Sequence, residues 1–93
     1  MSEIDKLISE ECKKSPEFAA EYRGEIERLD AAVALMELRE EEGMTQRQLA
    51  AATGKTQSTI ARIENGNMNP SFKLMSEIAE ALGRKLEFKF TKV

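Results

Sequence analysis

Histidine is missing from all 93 residues, and cysteine occurs once, at Cys12. A lone cysteine permits no internal disulfide, and without histidine it completes neither a zinc site nor a cysteine-histidine nucleophile within this chain. A signal peptide and any long apolar run are also lacking, so the expectation is a soluble, cytoplasmic protein with no membrane contact. Carboxylates are plentiful, with 17 Asp and Glu. They are strewn along helical stretches with no glycine-rich loop beside them, which argues against an enzyme and gives no reason to expect a cofactor or a metal. The length suits one small domain with a modest core and room for an appendage.

The charge that is present is unevenly placed. Residues 1 to 42 hold 13 acidic and 6 basic side chains, a sum of -7, and residues 43 to 93 hold 4 and 8, a sum of +4; together they give the -3 of the whole chain. Only the second half attracts phosphate. A field of +4 is weak for one copy, so dimerisation on a two-half-site target is the expected remedy.

Within that basic half, residues 44 to 66 read MTQRQLAAATGKTQSTIARIENG. Thr45 followed three residues later by Gln48 is a capping box, so a helix starts at Gln46. Leu49 and Ala50 give it an inward face, and Gly54 supplies the permissive position at which it stops. Thr56 caps the next helix, with Ile60 and Ile63 on its buried side and Asn65-Gly66 at its end. Two helices joined by so tight a turn cross steeply. The second exposes Gln57, Ser58 and Thr59 in its first turn and Arg62 further on, with no carboxylate before Glu64. Glutamine pairs bidentately with adenine and arginine with guanine, while serine and threonine adapt to several edges. These residues could simply solvate an exposed face, but the helix-turn-helix arrangement points that face into a major groove.

From about Leu35 to Leu86 the chain resembles the Cro/CI-type (XRE) helix-turn-helix family, through LREEEGMTQRQLA, then TQSTIARIENG, then NPSFKLMSEIAEALG. The resemblance implies a mainly α fold, a lambda-repressor-like bundle that binds a palindromic operator. It makes Gln57, Ser58 and Arg62 the base-contacting residues. Thr45 and Gln46 fall at its phosphate-contacting position, and Thr56, Asn67, Ser71 and Lys73 fall where its loop and following helix approach the DNA backbone. Such backbone contacts fix register and carry no sequence information. It also implies a core of Leu35, Leu38, Leu49, Ala50, Ile60, Ile63, Phe72, Met75, Ile78, Ala79 and Leu82. The last five share helical spacing by their own count. Asn69 as cap, Pro70 in the first position and Gly83 at the end bound that helix.

The acidic half has its own pattern. Ser2 with Asp5 opens a short helix in which Ile4, Leu7, Ile8 and Cys12 share a face. Ser15-Pro16 restarts the chain as cap and first helical residue, and a stripe of Phe18, Tyr22, Ile26, Leu29, Val33 and Met36 follows in steps of three or four. Leu29, Val33 and Met36 lie on one side of the segment LDAAVALMEL, and Ala31, Leu35 and Leu38 on the opposite one. The second face serves the helix-turn-helix core. The first needs another cover: the short first helix folding back with Ile4, Leu7 and Ile8 against Tyr22, Ile26 and Leu29, a second copy, or a different protein of basic character. Gly24 is a possible kink.

At the far end Leu86, Phe88 and Phe90 alternate with Glu87 and Lys89, the pattern of a half-buried strand. It either lies against the domain as a tail or pairs with its copy across a two-fold axis; the dimer is favoured, with Leu74 a possible addition to that interface. The chain thus divides into an acidic helical extension at 1–27, a helix-turn-helix domain at 28–84 with its motif at 46–65, and a C-terminal strand at 85–93.

The extension PEFAAEYRGEI, running into the motif and followed by KLEFKF, is similar to HigA-type antitoxins. That resemblance implies a basic, mRNA-cleaving RelE/HigB-like toxin as partner, neutralised by direct binding, and repression of the shared operon. Phe18, Tyr22, Ile26 and the surrounding acids become the expected toxin contacts. Two rivals stand beside it: a stand-alone dimeric repressor whose N-terminal helices are only structural, and an interaction protein that has lost DNA binding.

Overall fold

The computed structural model describes residues 3–92. Its elements are α1 (Glu3–Lys14), α2 (Pro16–Glu41), α3 (Gln46–Thr53), α4 (Gln57–Glu64) and α5 (Phe72–Ala81), with no strand among the described residues. The Ser2 cap expected for the first helix lies outside the described residues. α2 begins as its sequence dictates: Ser15 is extended, its Oγ accepts from the Phe18 N–H at 3.1 Å, and Pro16 occupies the first turn. The helix then runs 26 residues straight through Gly24. At about 1.5 Å per residue it is about 39 Å long, nearly the whole 45 Å extent of the molecule. The radius of gyration of 15.6 Å exceeds the roughly 12 Å of a compact chain this size, because the N-terminal half of α2 projects beyond the core.

Both faces of α2 exist as expected, and they fare differently. Ala32 and Leu35 are buried, and Ala31 and Leu38 pack against the core formed by Leu35, Leu49, Ala50, Ile60, Ile63 and Ile78. On the other side Phe18, Ile26, Leu29 and Val33 stay exposed, with Tyr22 and Met36 half-buried. α1 contacts α2 without closing over this stripe. Ala19 is buried near the corner and Ile8 and Cys12 are half-buried, whereas Ile4 and Leu7 are exposed. The fold-back burial of Ile4 and Leu7 against Ile26 and Leu29 is therefore not realised. Only Ser15 separates the two helices, and Ile4 and Leu7 lie in the half of α1 farther from that corner, where they stay exposed.

α5 corrects three expectations. Its cap is Ser71, whose Oγ accepts from the Leu74 N–H at 3.0 Å, so Asn69 and Pro70 precede the helix. Asn69 instead donates from Nδ2 to Glu27 Oε2 at 3.0 Å, tying this loop to α2. Phe72, expected in the core, is 55% exposed; at the first position of the helix it overhangs the core edge. Leu74, considered above for the dimer interface, is half-buried against the core of its own domain. Gly83 ends the helix with φ at +69°, as its lack of a side chain allows.

The expected strand at Leu86, Phe88 and Phe90 is absent, because a ladder needs a second backbone edge and one chain supplies none. The segment runs as a tail over the domain. Leu86 is half-buried beside Ala34, Leu38, Met75 and Ile78, and the Phe88 ring meets Phe72 edge-on, with centroids 4.5 Å apart and planes at 84°. Arg84 anchors its start, donating from Nη1 to Glu41 Oε2 at 2.7 Å and from Nε to Glu42 Oε1 at 2.9 Å. These two carboxylates, Glu42 first, hold the guanidinium proton more tightly than usual. Phe90 beyond it is fully exposed.

Candidate nucleic-acid interface

The motif is built by local chemistry at each of its corners. Thr45 Oγ1 accepts from the Gln48 N–H at 3.1 Å while Gln48 Oε1 accepts from the Thr45 N–H at 2.9 Å, completing the capping box that starts α3. Gly54 ends α3 in the left-handed region at φ +69°. Two residues later Thr56 caps α4, its Oγ1 accepting from the Thr59 N–H at 3.1 Å and sharing a 2.9 Å hydrogen bond with the Thr59 hydroxyl. Thr59 is thereby turned toward the cap and half-buried, which removes it from the exposed set.

The burial pattern of α4 sorts its residues by direction. Ile60, Ile63 and Glu64 are buried, so at about 100° per residue the outward side falls on Ser58 and Arg62, with Gln57 at the leading end. All three are exposed. Around them, Thr45, Thr56, Asn67, Ser71 and Lys73 are exposed as well, and Gln46 is half-buried at the start of α3. Thr45 and Ser71 use one oxygen lone pair in capping, which leaves each O–H free to donate to a phosphate. Asn67 is held by its N–H, which donates to the Arg62 carbonyl at 2.9 Å.

One cation absent from the sequence expectations belongs with this group. Arg47 is exposed in the first turn of α3 and, like Arg62, makes no ion pair among the described residues. A positive charge at a helix start opposes the helix dipole, and that misfit was the available signal that Arg47 serves an external anion. Lys55 is different: it is bonded to Glu77 of α5. That hydrogen bond, and then the lysine's charge, hold the Glu77 carboxyl below its ordinary range.

The one carboxylate of α4 points inward. Glu64 Oε1 accepts from Arg39 Nη2 at 3.0 Å, and Arg39 Nε lies 3.1 and 3.3 Å from the two carboxylate oxygens. The negative charge at this end of α4 is thus neutralised inside the protein and does not face the outward residues. The expected toxin residues lie elsewhere, on the projecting part of α2. There the Phe18 and Tyr22 rings stack with centroids 6.4 Å apart and planes at 7°, and Ile26 follows one turn on. Leu86, Phe88 and Phe90 sit on the tail and are not brought to either group. Among the described residues no three carboxylate or thiol side chains gather as a metal-binding group, and no helix is long and apolar enough to cross a membrane.

Comparison with known proteins falls on the same region. A family profile described as Helix-turn-helix matches residues 35–89. An uncharacterized HTH-type transcriptional regulator of Methanothermobacter thermautotrophicus is 45% identical over 51 residues, covering 55% of this chain and 74% of its own length. One from Archaeoglobus fulgidus is 38% identical over 53 residues, 57% of this chain and 76% of that one. A third, from Sinorhizobium fredii, is 46% identical over 44 residues, 47% of this chain but 22% of its own length. No solved structure gives a significant match. The profile begins at Leu35, so α1 and most of α2 lie outside it.

Proposed function

Because the chain belongs to the helix-turn-helix family, we propose that it is a DNA-binding transcriptional repressor in which α4 reads bases through Gln57, Ser58 and Arg62. The observation that carries this reading is the outward side and leading end of α4: Ser58 and Arg62 on the one and Gln57 at the other are all exposed, with the helix's one carboxylate buried behind them. Thr45, Gln46, Thr56, Asn67, Ser71 and Lys73 hold the phosphates, and Arg47 joins them. A homodimer doubles the weak positive field and matches a palindromic operator. The tail residues Leu86, Phe88 and Phe90 pair its two copies, a role favoured by the fully exposed Phe90. The test is selection of a duplex from a randomised pool, followed by titration of Gln57→Ala and Arg62→Ala. Each substitution is expected to weaken specific binding by about 1–3 kcal/mol. Unchanged binding by both would count against readout by α4.

The finer reading is an antitoxin. The exposed stripe of the projecting α2, set among acidic side chains in residues 1–27, is the surface a basic toxin of RelE/HigB type would cover, with Phe18, Tyr22 and Ile26 as its contacts. Co-expression with a small basic protein encoded in the same transcription unit tests it: the two should purify together, and deletion of residues 1 to 25 should release the partner. Neutralisation that survives the deletion would remove the extension from this role and move the contact elsewhere on the chain, whereas no co-purifying partner at all would leave a stand-alone repressor.

A further inference from the structure

Arg39 joins three parts of the domain through one planar group. It stands near the end of α2, bonds the Glu64 carboxylate through Nε and Nη2, and donates from Nη1 to the Met44 carbonyl at 3.2 Å. Met44 immediately precedes the Thr45 cap of α3, and Glu64 is the last residue of α4. A carboxylate is an unfavourable choice for that place. Its side chain is 3% exposed, and it sits at the negative end of a helix dipole. An apolar side chain of similar volume would often pack there with equal or greater stability. What the guanidinium fork adds over apolar packing is direction, since two parallel N–H bonds fix the angle between the groups they join.

Direction matters because of where the reading residues stand. Arg62 is two residues before Glu64, and Gln57 is at the opposite end of a helix about 12 Å long. A tilt of about 10° about the Glu64 end would move Gln57 by about 2 Å, far more than a base-edge hydrogen bond tolerates. We propose that Arg39 is a positioning residue for base recognition: by clamping Glu64 and the Met44 carbonyl together it sets the angle of α4 against α3, and so places Gln57 and Arg62. This rests on the reading that α4 contacts bases. Phosphate contacts, which tolerate small shifts, depend on the clamp much less.

The experiment separates angle from stability. Wild type, Arg39→Lys and the double variant Arg39→Met with Glu64→Leu are titrated against a duplex enriched by the wild type from a randomised pool, and against a scrambled duplex of equal length. Unfolding is followed alongside. The double variant is expected to stay cooperatively folded and to bind the scrambled duplex within about twofold of wild type with the same salt slope. Its affinity for the enriched duplex is expected to fall about tenfold, the loss of one good base contact. Arg39→Lys, which keeps the charge without the fork, should fall by less, about threefold. A folded double variant with the wild-type ratio of specific to scrambled affinity overturns the inference. If the double variant does not fold, Arg39→Lys decides by the same ratio, and an unchanged ratio again overturns it. A wild type that enriches no sequence overturns base reading itself, and this inference with it; enrichment followed by unchanged discrimination overturns this inference alone.

Discussion

Leu29 and Leu35 are the same residue on the same helix, six positions apart, and their truncation to alanine should differ severalfold in cost. Leu35 is 1% exposed at the centre of the core, whereas Leu29 is 56% exposed on the open stripe. A buried Leu→Ala change costs about 2–5 kcal/mol, because lost transfer energy is joined by the cavity left behind. Full burial of a leucine side chain is worth about 1.5–3 kcal/mol. Leu29 realises less than half of that and leaves no cavity, so Leu29→Ala should cost roughly 1 kcal/mol or less. Urea unfolding followed by helical circular dichroism measures both, with unchanged m-values as the check that midpoint differences report stability. The total stability of a domain this size is on the order of 5–14 kcal/mol, so Leu35→Ala should lower the midpoint severely and Leu29→Ala slightly. Equal losses at the two positions would refute the two-faced account of α2 and mean that Leu29 is buried in solution. If the Leu29→Ala loss also grew with protein concentration, the cover would be a second copy.

Other outcomes follow from the charged groups. Arg39→Ala strands the buried Glu64 carboxylate and should destabilise by about 3–5 kcal/mol, whereas Arg84→Ala, which breaks solvent-screened pairs with Glu41 and Glu42, should cost far less in the same unfolding assay; a reversed order would refute the burial argument. The Glu77 carboxyl titrates below its ordinary value because of Lys55. The pair therefore stabilises the fold above the unfolded carboxyl's pKa, and that contribution is lost as pH falls through the lowered folded value. A carboxyl-resolved NMR titration should show Glu77 moving back up in Lys55→Met, and no movement would refute the pairing. Arg47→Ala should weaken binding to all duplexes alike and reduce the salt slope by about one, which titration across a salt series would measure; sequence-selective loss would instead make Arg47 a base reader.

Much of the motif was legible because its signals are local. Thr45 with Gln48, Gly54 and Thr56 each act within four residues, so the sequence alone places both motif helices and the exposed Gln57, Ser58 and Arg62, though it also counted Thr59, which turns back to the Thr56 cap. Three-to-four spacing likewise identified both faces of α2. At α5 two cap-forming residues flank Pro70, and a proline suits the residue before a cap as well as the first helical position, so Asn69 was preferred where Ser71 acts. Periodicity placed Phe72 in the core because spacing gives direction but not depth, and the first residue of a helix overhangs its end. Arg39 and Glu64 are 25 residues apart, and patterning treats charged residues as outward-facing, so their inward pair left no trace in the sequence. The alternation at Leu86, Phe88 and Phe90 describes a segment able to form a strand; whether it pairs depends on an edge that no single chain contains.

The continuity of α2 bears on how anything grips its exposed end. Cut free, residues 16 to 30 would be too short to hold a helix in water, since nucleation fixes several residues before the first hydrogen bond repays it. Here the nucleus already exists: the second half of the same helix is locked in the core at Ala32 and Leu35, so the first half only has to propagate. A partner landing on Phe18, Tyr22 and Ile26 therefore meets a ready-made helical edge and is spared most of the ordering entropy that a disordered arm would impose. The same rigidity fixes reach. A body bound there is held at a set distance and bearing from α4, so its bulk is aimed relative to any duplex whose groove α4 enters, and whether the two collide or coexist becomes a matter of geometry along one rod.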